Sequence, residues 1–161
     1  MSDWMSDWQL QLRIQRLQTR YVHILDEDRL EQWPALFTAD GCYTITTREN
    51  HQAKLPLALY SCTGQGMLQD RVTGYRRINV YEPQCYRHQI SALEVEADPA
   101  GGWRCRSNFL VVRTLQRGDM SVFATGSYRD RIVEQDGELR FVERLVITDS
   151  RQTDTLLVIP L

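Results

Sequence analysis

No apolar run in this 161-residue sequence approaches the ~18 residues that a membrane-spanning helix requires. Its opening, MSDWMSDWQLQLRIQ, has neither the basic nor the apolar stretch of a signal peptide, so a cytoplasmic chain without membrane contact is expected. Lysine is nearly missing: 18 of the 19 basic residues are arginine, Lys54 being the exception. Arginine is weakly hydrated, and its planar fork suits buried and interfacial ion pairs, although codon bias in a GC-rich genome has the same outcome. With a net charge of −2 and a pI of about 5.9, no electrostatic footprint for nucleic acid stands out. Cys42, Cys62, Cys85 and Cys105 form no CxxC pair, so the close ligand pairs of zinc and iron–sulfur sites are lacking and free thiols are expected. G-x-G-x-x-G, the Walker loop, G-x-S-x-G and H-E-x-x-H are absent. A Rieske cluster needs Cys-x-His together with Cys-x-x-His; Cys85-Tyr-Arg-His88 has the second spacing but no Cys-x-His occurs, and the helix-borne His pair with carboxylate that holds mononuclear iron is absent too.

What is present describes one globular domain, with 42% apolar and 25% charged residues. Leu10, Ile14, Leu17, Tyr21 and Ile24 step by 4, 3, 4 and 3, which predicts an amphipathic helix over 7–26. The doubled MSDW reads as a duplicated or alternative start, with 1–8 disordered and 9–161 forming the domain. Asp28-Arg-Leu-Glu31 has the form of a capping box opening a short helix, which Pro34 interrupts while Leu30, Trp33, Leu36 and Phe37 supply an apolar face. Ala39-Asp-Gly41 predicts a turn into a β-rich run over 42–47, then a loop over 48–65. A helix over 67–77 carries Leu68, Val72 and Tyr75 on one side. Four long strands follow over 84–97, 103–116, 120–134 and 138–150, parted by Asp98-Pro-Ala-Gly-Gly, Arg117-Gly-Asp and Gln135-Asp-Gly. Helices followed by a meander predict an α+β fold, N-terminal helices packed on a long curved antiparallel sheet.

Strict alternation in the last strand puts Leu139, Phe141, Leu145 and Ile147 on one face, and Val142 and Val146 with Arg140 and Arg144 on the other. Phe109–Val112 is apolar on both faces. A sheet with one wet face alternates cleanly, so a partner subunit is expected to cover the second face. Of the three histidines, His88 stands on a strand next to Tyr86-Arg87, placed for acid–base work or for a structural bond to a backbone group or carboxylate. Glu143 beside Phe141 and Leu145 reads as a desolvated base or as half of an arginine ion pair.

Six blocks carry a resemblance. They are Asp28…Trp33-Pro-Ala-Leu-Phe37-Thr-Ala-Asp40-Gly-Cys-Tyr43, Met67-Leu-Gln-Asp70-Arg71-Val, Tyr86-Arg-His88, Phe109-Leu-Val-Val-Arg113, Phe123-Ala-Thr-Gly126-Ser-Tyr128-Arg-Asp130, and Glu143-Arg-Leu-Val-Ile-Thr-Asp149-Ser…Leu156-Leu. Together, and in this order, they resemble the small (β) subunits of aromatic-ring-hydroxylating dioxygenases, above all those acting on aromatic carboxylates, such as terephthalate dioxygenase and salicylate 5-hydroxylase. The resemblance implies a nuclear transport factor 2-like (cystatin-like) cone and a mainly structural role. It also implies an α3β3 hexamer whose large (α) subunit carries the Rieske 2Fe–2S cluster and the mononuclear Fe(II), fed by a ferredoxin and an NADH-dependent reductase. No catalytic, metal or cofactor residue is then expected on this chain. Asp70, Arg71, Tyr86, Arg87, Arg113, Arg140 and Arg144 are the candidate subunit-interface residues. The competing expectation is a stand-alone isomerase or dehydratase of the same cone, or a small-ligand binding protein, using a pocket with Asp40, Tyr43, His88 and Glu143.

Overall fold

With neither glycine nor proline ahead of Pro34, nothing in the N-terminal sequence stops a helix, and α1 runs Asp3–Asp26, through the second MSDW copy. The computed structural model describes residues 3–77, 83–150 and 159–161; the start of the first MSDW copy and the Leu156-Leu block lie outside them. Ile14, Leu17, Tyr21 and Ile24 of the predicted stripe are buried.

The expected capping box does not form. Two 3-10 turns, Leu30–Gln32 and Pro34–Leu36, take its place without a side-chain cap. Asp28 adopts a left-handed φ of 54°, and its carboxylate, together with that of Glu31, meets Arg76 of the later helix α3 (Gly64–Arg77), at 2.7 Å in each case. One guanidinium fork satisfying two carboxylates outcompetes a local cap. The apolar face survives, since Leu30, Trp33, Leu36 and Phe37 are all buried, as are Leu68, Val72 and Tyr75 on α3.

The turn expected at 39–41 is instead an irregularity inside strand β1 (Phe37–Thr47), whose register to its neighbour shifts between Phe37 and Cys42. A Cβ on Gly41 would stand 2.7 Å from that of Phe37, so only glycine fits the bend. The stretch expected as a loop holds helix α2 (Arg48–Gln52), capped by the Thr47 hydroxyl, and strand β2 (Tyr60–Thr63). β3 (Gln84–Ala97), β4 (Trp103–Leu115), β5 (Met120–Gln135) and β6 (Glu138–Thr148) form the expected meander. Asp136 and Gly137, both at positive φ, make the last tight turn.

The sheet order is β2-β1-β6-β5-β4-β3. β1 lies parallel to β6, so the sheet is mixed and not antiparallel throughout. The whole intervening chain serves as the crossover that a parallel pair requires. α1 packs on β3 and β6 and α3 on β1 and β2, which leaves the opposite face of the sheet largely without helical cover.

Arg76 holds the Glu31 carboxyl down at about 2, chiefly through its hydrogen bonds. A depressed carboxyl supports folding at pH above its ordinary value of 4.5, and that support is lost as the pH falls toward 2. Arg76→Ala is expected to return Glu31 to near 4.5 in an NMR titration. A Glu31 that titrates unchanged in this variant would show that the cross-element pair does not form in solution.

Candidate functional site

A one-residue slip decides what the interior of the cone contains. Arg131 pairs with Glu143 while Ile132 pairs with Phe141, so β6 bulges at Val142 and every later side chain changes face. Leu139, Phe141, Arg144 and Val146 therefore share the buried face, and Glu143 and Leu145 the other, which corrects the alternation read from the sequence. Arg144 has no solvent exposure. Its Nε and Nη2 donate to the two Asp130 oxygens at 2.9 Å, and Nη2 also donates to Gln18 Oε1. Gln18 Nε2 in turn donates to Asp130 at 2.8 Å. The guanidinium carbon lies 4.0, 4.1 and 4.3 Å from the ring centroids of Tyr21, Tyr128 and Phe141. Burial opposes the charge, yet Asp130, by proximity and hydrogen bonding, holds the Arg144 pKa above its ordinary value. Burial, and then the Asp130 carboxylate, push the Cys105 thiol up to about 12.

Aromatic rings fill the neighbouring space. Trp33 meets Phe37 and Tyr43 edge-on at 5.4 and 5.0 Å, Phe37 reaches Phe141, and Phe109 stacks on Tyr128 at 4.7 Å. Tyr43, one of the pocket candidates, is fully buried and accepts from the Leu161 backbone N–H at 2.8 Å. His88 is also buried. Its Nδ1 lies 2.6 Å from Asp26 at the end of α1, whose carboxylate also accepts the His88 backbone N–H at 3.0 Å. This Asp26–His88 clamp ties α1 to β3 and is the structural alternative expected for that histidine. Asp40 is exposed and accepts from the Thr38 hydroxyl, while Glu143 lies on the outer face. Three strands separate β1 from β3, and Tyr43 and His88 are each bonded to a different segment. The four candidates do not converge.

Comparison with known proteins places this geometry. The SnoaL-like domain family matches residues 8–145. The anthranilate 1,2-dioxygenase small subunit of Burkholderia cepacia is 39% identical over 161 residues, all of both chains. The chain belongs to the small subunits of aromatic-ring-hydroxylating dioxygenases. A terephthalate 1,2-dioxygenase terminal oxygenase β subunit from Comamonas is 35% identical over 151 residues, covering 94% of this chain and 98% of its own. A solved structure assigned as the β subunit of such a dioxygenase, from Novosphingobium aromaticivorans, superposes with a TM-score of 0.87 at 32% identity, over 97% of this chain and 99% of its own. The expected α+β cone is therefore the fold this chain has.

The seven interface candidates of this small subunit are dispersed. Asp70 is exposed on α3, and the Arg71 guanidinium lies over the rings of Tyr60 and Tyr75, at 4.1 and 4.5 Å. Tyr86 and Arg113 are register partners against Phe123, and Arg140 donates to the Ala35 carbonyl at 2.7 Å. Arg87 is 71% exposed on the edge strand β3. Arg144 is the exception: it lies inside the chain's own core, where no partner subunit reaches it. All four cysteines are free. Asp26, Gln18 and Asp130, which position the interior, carry no local sequence signal.

Arg144→Ala is accordingly expected to act on the chain itself by stranding the Asp130 charge, at a cost of about 3–5 kcal/mol in urea unfolding. Removal of the exposed Arg16 is expected to change stability by less than ~0.5 kcal/mol. Equal effects of the two substitutions would contradict the buried pairing.

Proposed function

We propose that this chain is the structural, non-catalytic small subunit of a multicomponent Rieske non-haem iron oxygenase that hydroxylates an aromatic ring, an aromatic carboxylate by its likeness to the anthranilate and terephthalate relatives. The observation that carries this is the likeness across the full chain, 39% over all 161 residues, to a named small subunit. The partner is a large subunit, in an α3β3 hexamer, holding the Rieske cluster and the mononuclear Fe(II) and receiving electrons from NADH through a reductase and a ferredoxin. The residues here do not fit those groups: among the described residues no three His, Cys, Asp or Glu side chains gather as a metal site. No helix among the described residues is long and apolar enough to cross a membrane. A bacterial cytoplasmic location belongs to the same proposal.

The rival reading needs an acid and a base around a pocket, and Asp40, Tyr43, His88 and Glu143 are dispersed or already bonded as described above. What the chain offers instead is surface. Asp70 and Arg87 are exposed, and with Arg71, Tyr86, Arg113 and Arg140 they are the proposed polar contacts. Met120 and Val122, 74% and 65% exposed on the β4–β5 hairpin, supply apolar area that a second chain would cover. A heterologous contact repeated three times closes a trimer without leaving a free interface.

Co-expression with the large subunit tests this reading. His88→Ala and Glu143→Gln are expected to shift stability or assembly while the intact complex keeps its kcat within a few-fold. A fully assembled Glu143→Gln complex with kcat reduced by about 10²–10⁴, the usual contribution of an acid–base group, would move the chemistry onto this chain.

A further inference from the structure

The outer face of the sheet carries two pairs of facing arginines. Arg104 of β4 stands directly opposite Arg131 of β5, and one row along, Arg106 stands opposite Arg129. Like charges facing each other across two strands repel. The first pair has its own remedy. Asp98 sits between them, accepting from Arg131 Nε at 2.8 Å and lying 3.1 Å from Arg104. The Ala100 backbone N–H, and then Arg131 and Arg104, hold that carboxyl below its ordinary range.

No carboxylate among the described residues is hydrogen-bonded across the second pair, although Glu94 of β3 stands opposite Arg106 in register. Nη1 of Arg129 is buried and has no hydrogen-bond partner among the described residues. Burial, and then Arg106, lower its pKa, against which Glu94 on β3 is the counterweight. A cleft of about 410 Å³ is lined by this pair, by Arg48 and His51 of α2, and by Asn108, Thr125 and Ser127 of the sheet. Its one carboxylate, Asp149, is already held by Arg48 and by the Thr125 hydroxyl at 2.9 Å. The cleft thus gathers three guanidinium groups around polar donors, with its own acid engaged at one side.

We propose that this cleft is where an acidic side chain of the large subunit docks, its carboxylate bridging Arg106 and Arg129 as Asp98 bridges Arg104 and Arg131. This rests on the small-subunit reading above. A protein carboxylate fits better than a free aromatic acid, because the cleft is wide and open to solvent and most of its side chains are polar, with no closed apolar slot for a ring. The carboxylate neutralises a repulsion that the isolated chain carries, so docking relieves an unfavourable contact as well as adding a favourable one.

The full-length chain carrying Arg106→Glu with Arg129→Glu is to be titrated against the large subunit in parallel with wild type, at low and high salt. A loss of affinity of about 10-fold or more is expected, with the salt dependence of binding reduced. Arg106→Gln, which removes one of the two facing charges and with it the cross-strand partner of Glu94, is expected to leave the isolated chain folded and still to weaken docking. Both variants binding as wild type does would overturn the cleft while leaving the small-subunit reading intact. A wild-type chain that ignores the large subunit altogether would overturn both. Benzoate is the probe for the other source of carboxylate. Saturable benzoate binding to the isolated chain that the double substitution abolishes would overturn the assignment to a partner's side chain.

Discussion

A guanidinium with no access to water sits at the centre of this molecule, and the elements around it are placed so that it stays charged. Taking two ions out of water costs several kcal/mol each, and only close geometry with further hydrogen bonds offsets that cost. Asp130 supplies both oxygens, Gln18 closes the triangle, and three aromatic rings lie within 4.3 Å of the charge. Asp130 is on β5, Arg144 on β6 and Gln18 on α1. One network therefore sets the register of two strands and the seat of the long helix upon them. A buried ion pair of this kind adds little net stability; its effect is on which arrangement is compatible with burial. A one-residue slip of β6 would carry Arg144 to the outer face and leave Asp130 alone inside.

The same network bears on function through the space it occupies. The cone architecture hosts unrelated chemistries, so the fold alone argues for none of them. In this chain Tyr43 is committed to Leu161 and His88 to Asp26, each bond anchoring one segment to another. The large interior side chains touch one another. Arginines set in facing pairs across β4 and β5, and apolar residues at the β4–β5 hairpin, are features suited to meeting another protein. A small subunit whose interior is spent on its own cohesion contributes through its surfaces.

Elements with a periodicity of their own were legible in the sequence. The stripe from Leu10 to Ile24 and the four runs bounded by Gly-containing turns match α1 and β3–β6 to within a few residues. What was not legible depended on contacts distant in sequence. Asp28 and Glu31 look like a cap until Arg76, 48 and 45 residues away, takes both carboxylates. The clamp between Asp26 and His88 spans 62 residues and leaves no local mark. The parallel pairing of β1 with β6 is likewise invisible to hairpin signals, which report only neighbours in sequence. The bulge at Val142 had the largest consequence. Nothing between Arg140 and Ile147 marks it, yet it exchanges the faces of Arg144 and Leu145, and with them an interface residue for the centre of the core. The six family blocks, read together, led to the family where periodicity alone could not.

The arrangement of β5, β6 and α1 depends on the coupling between Arg144 and Asp130. A double-mutant cycle on the isolated chain measures it, using urea unfolding of Arg144→Met, Asp130→Leu and the double variant. Each single substitution leaves a buried charge or acceptor group without its partner, whereas the double replaces the pair with apolar groups of similar volume. The double variant is therefore predicted to be more stable than the sum of the single losses implies, by about 2–3 kcal/mol. Additivity to within about 0.5 kcal/mol would mean that the two residues do not act as a pair, and the proposed centre of the fold would be wrong.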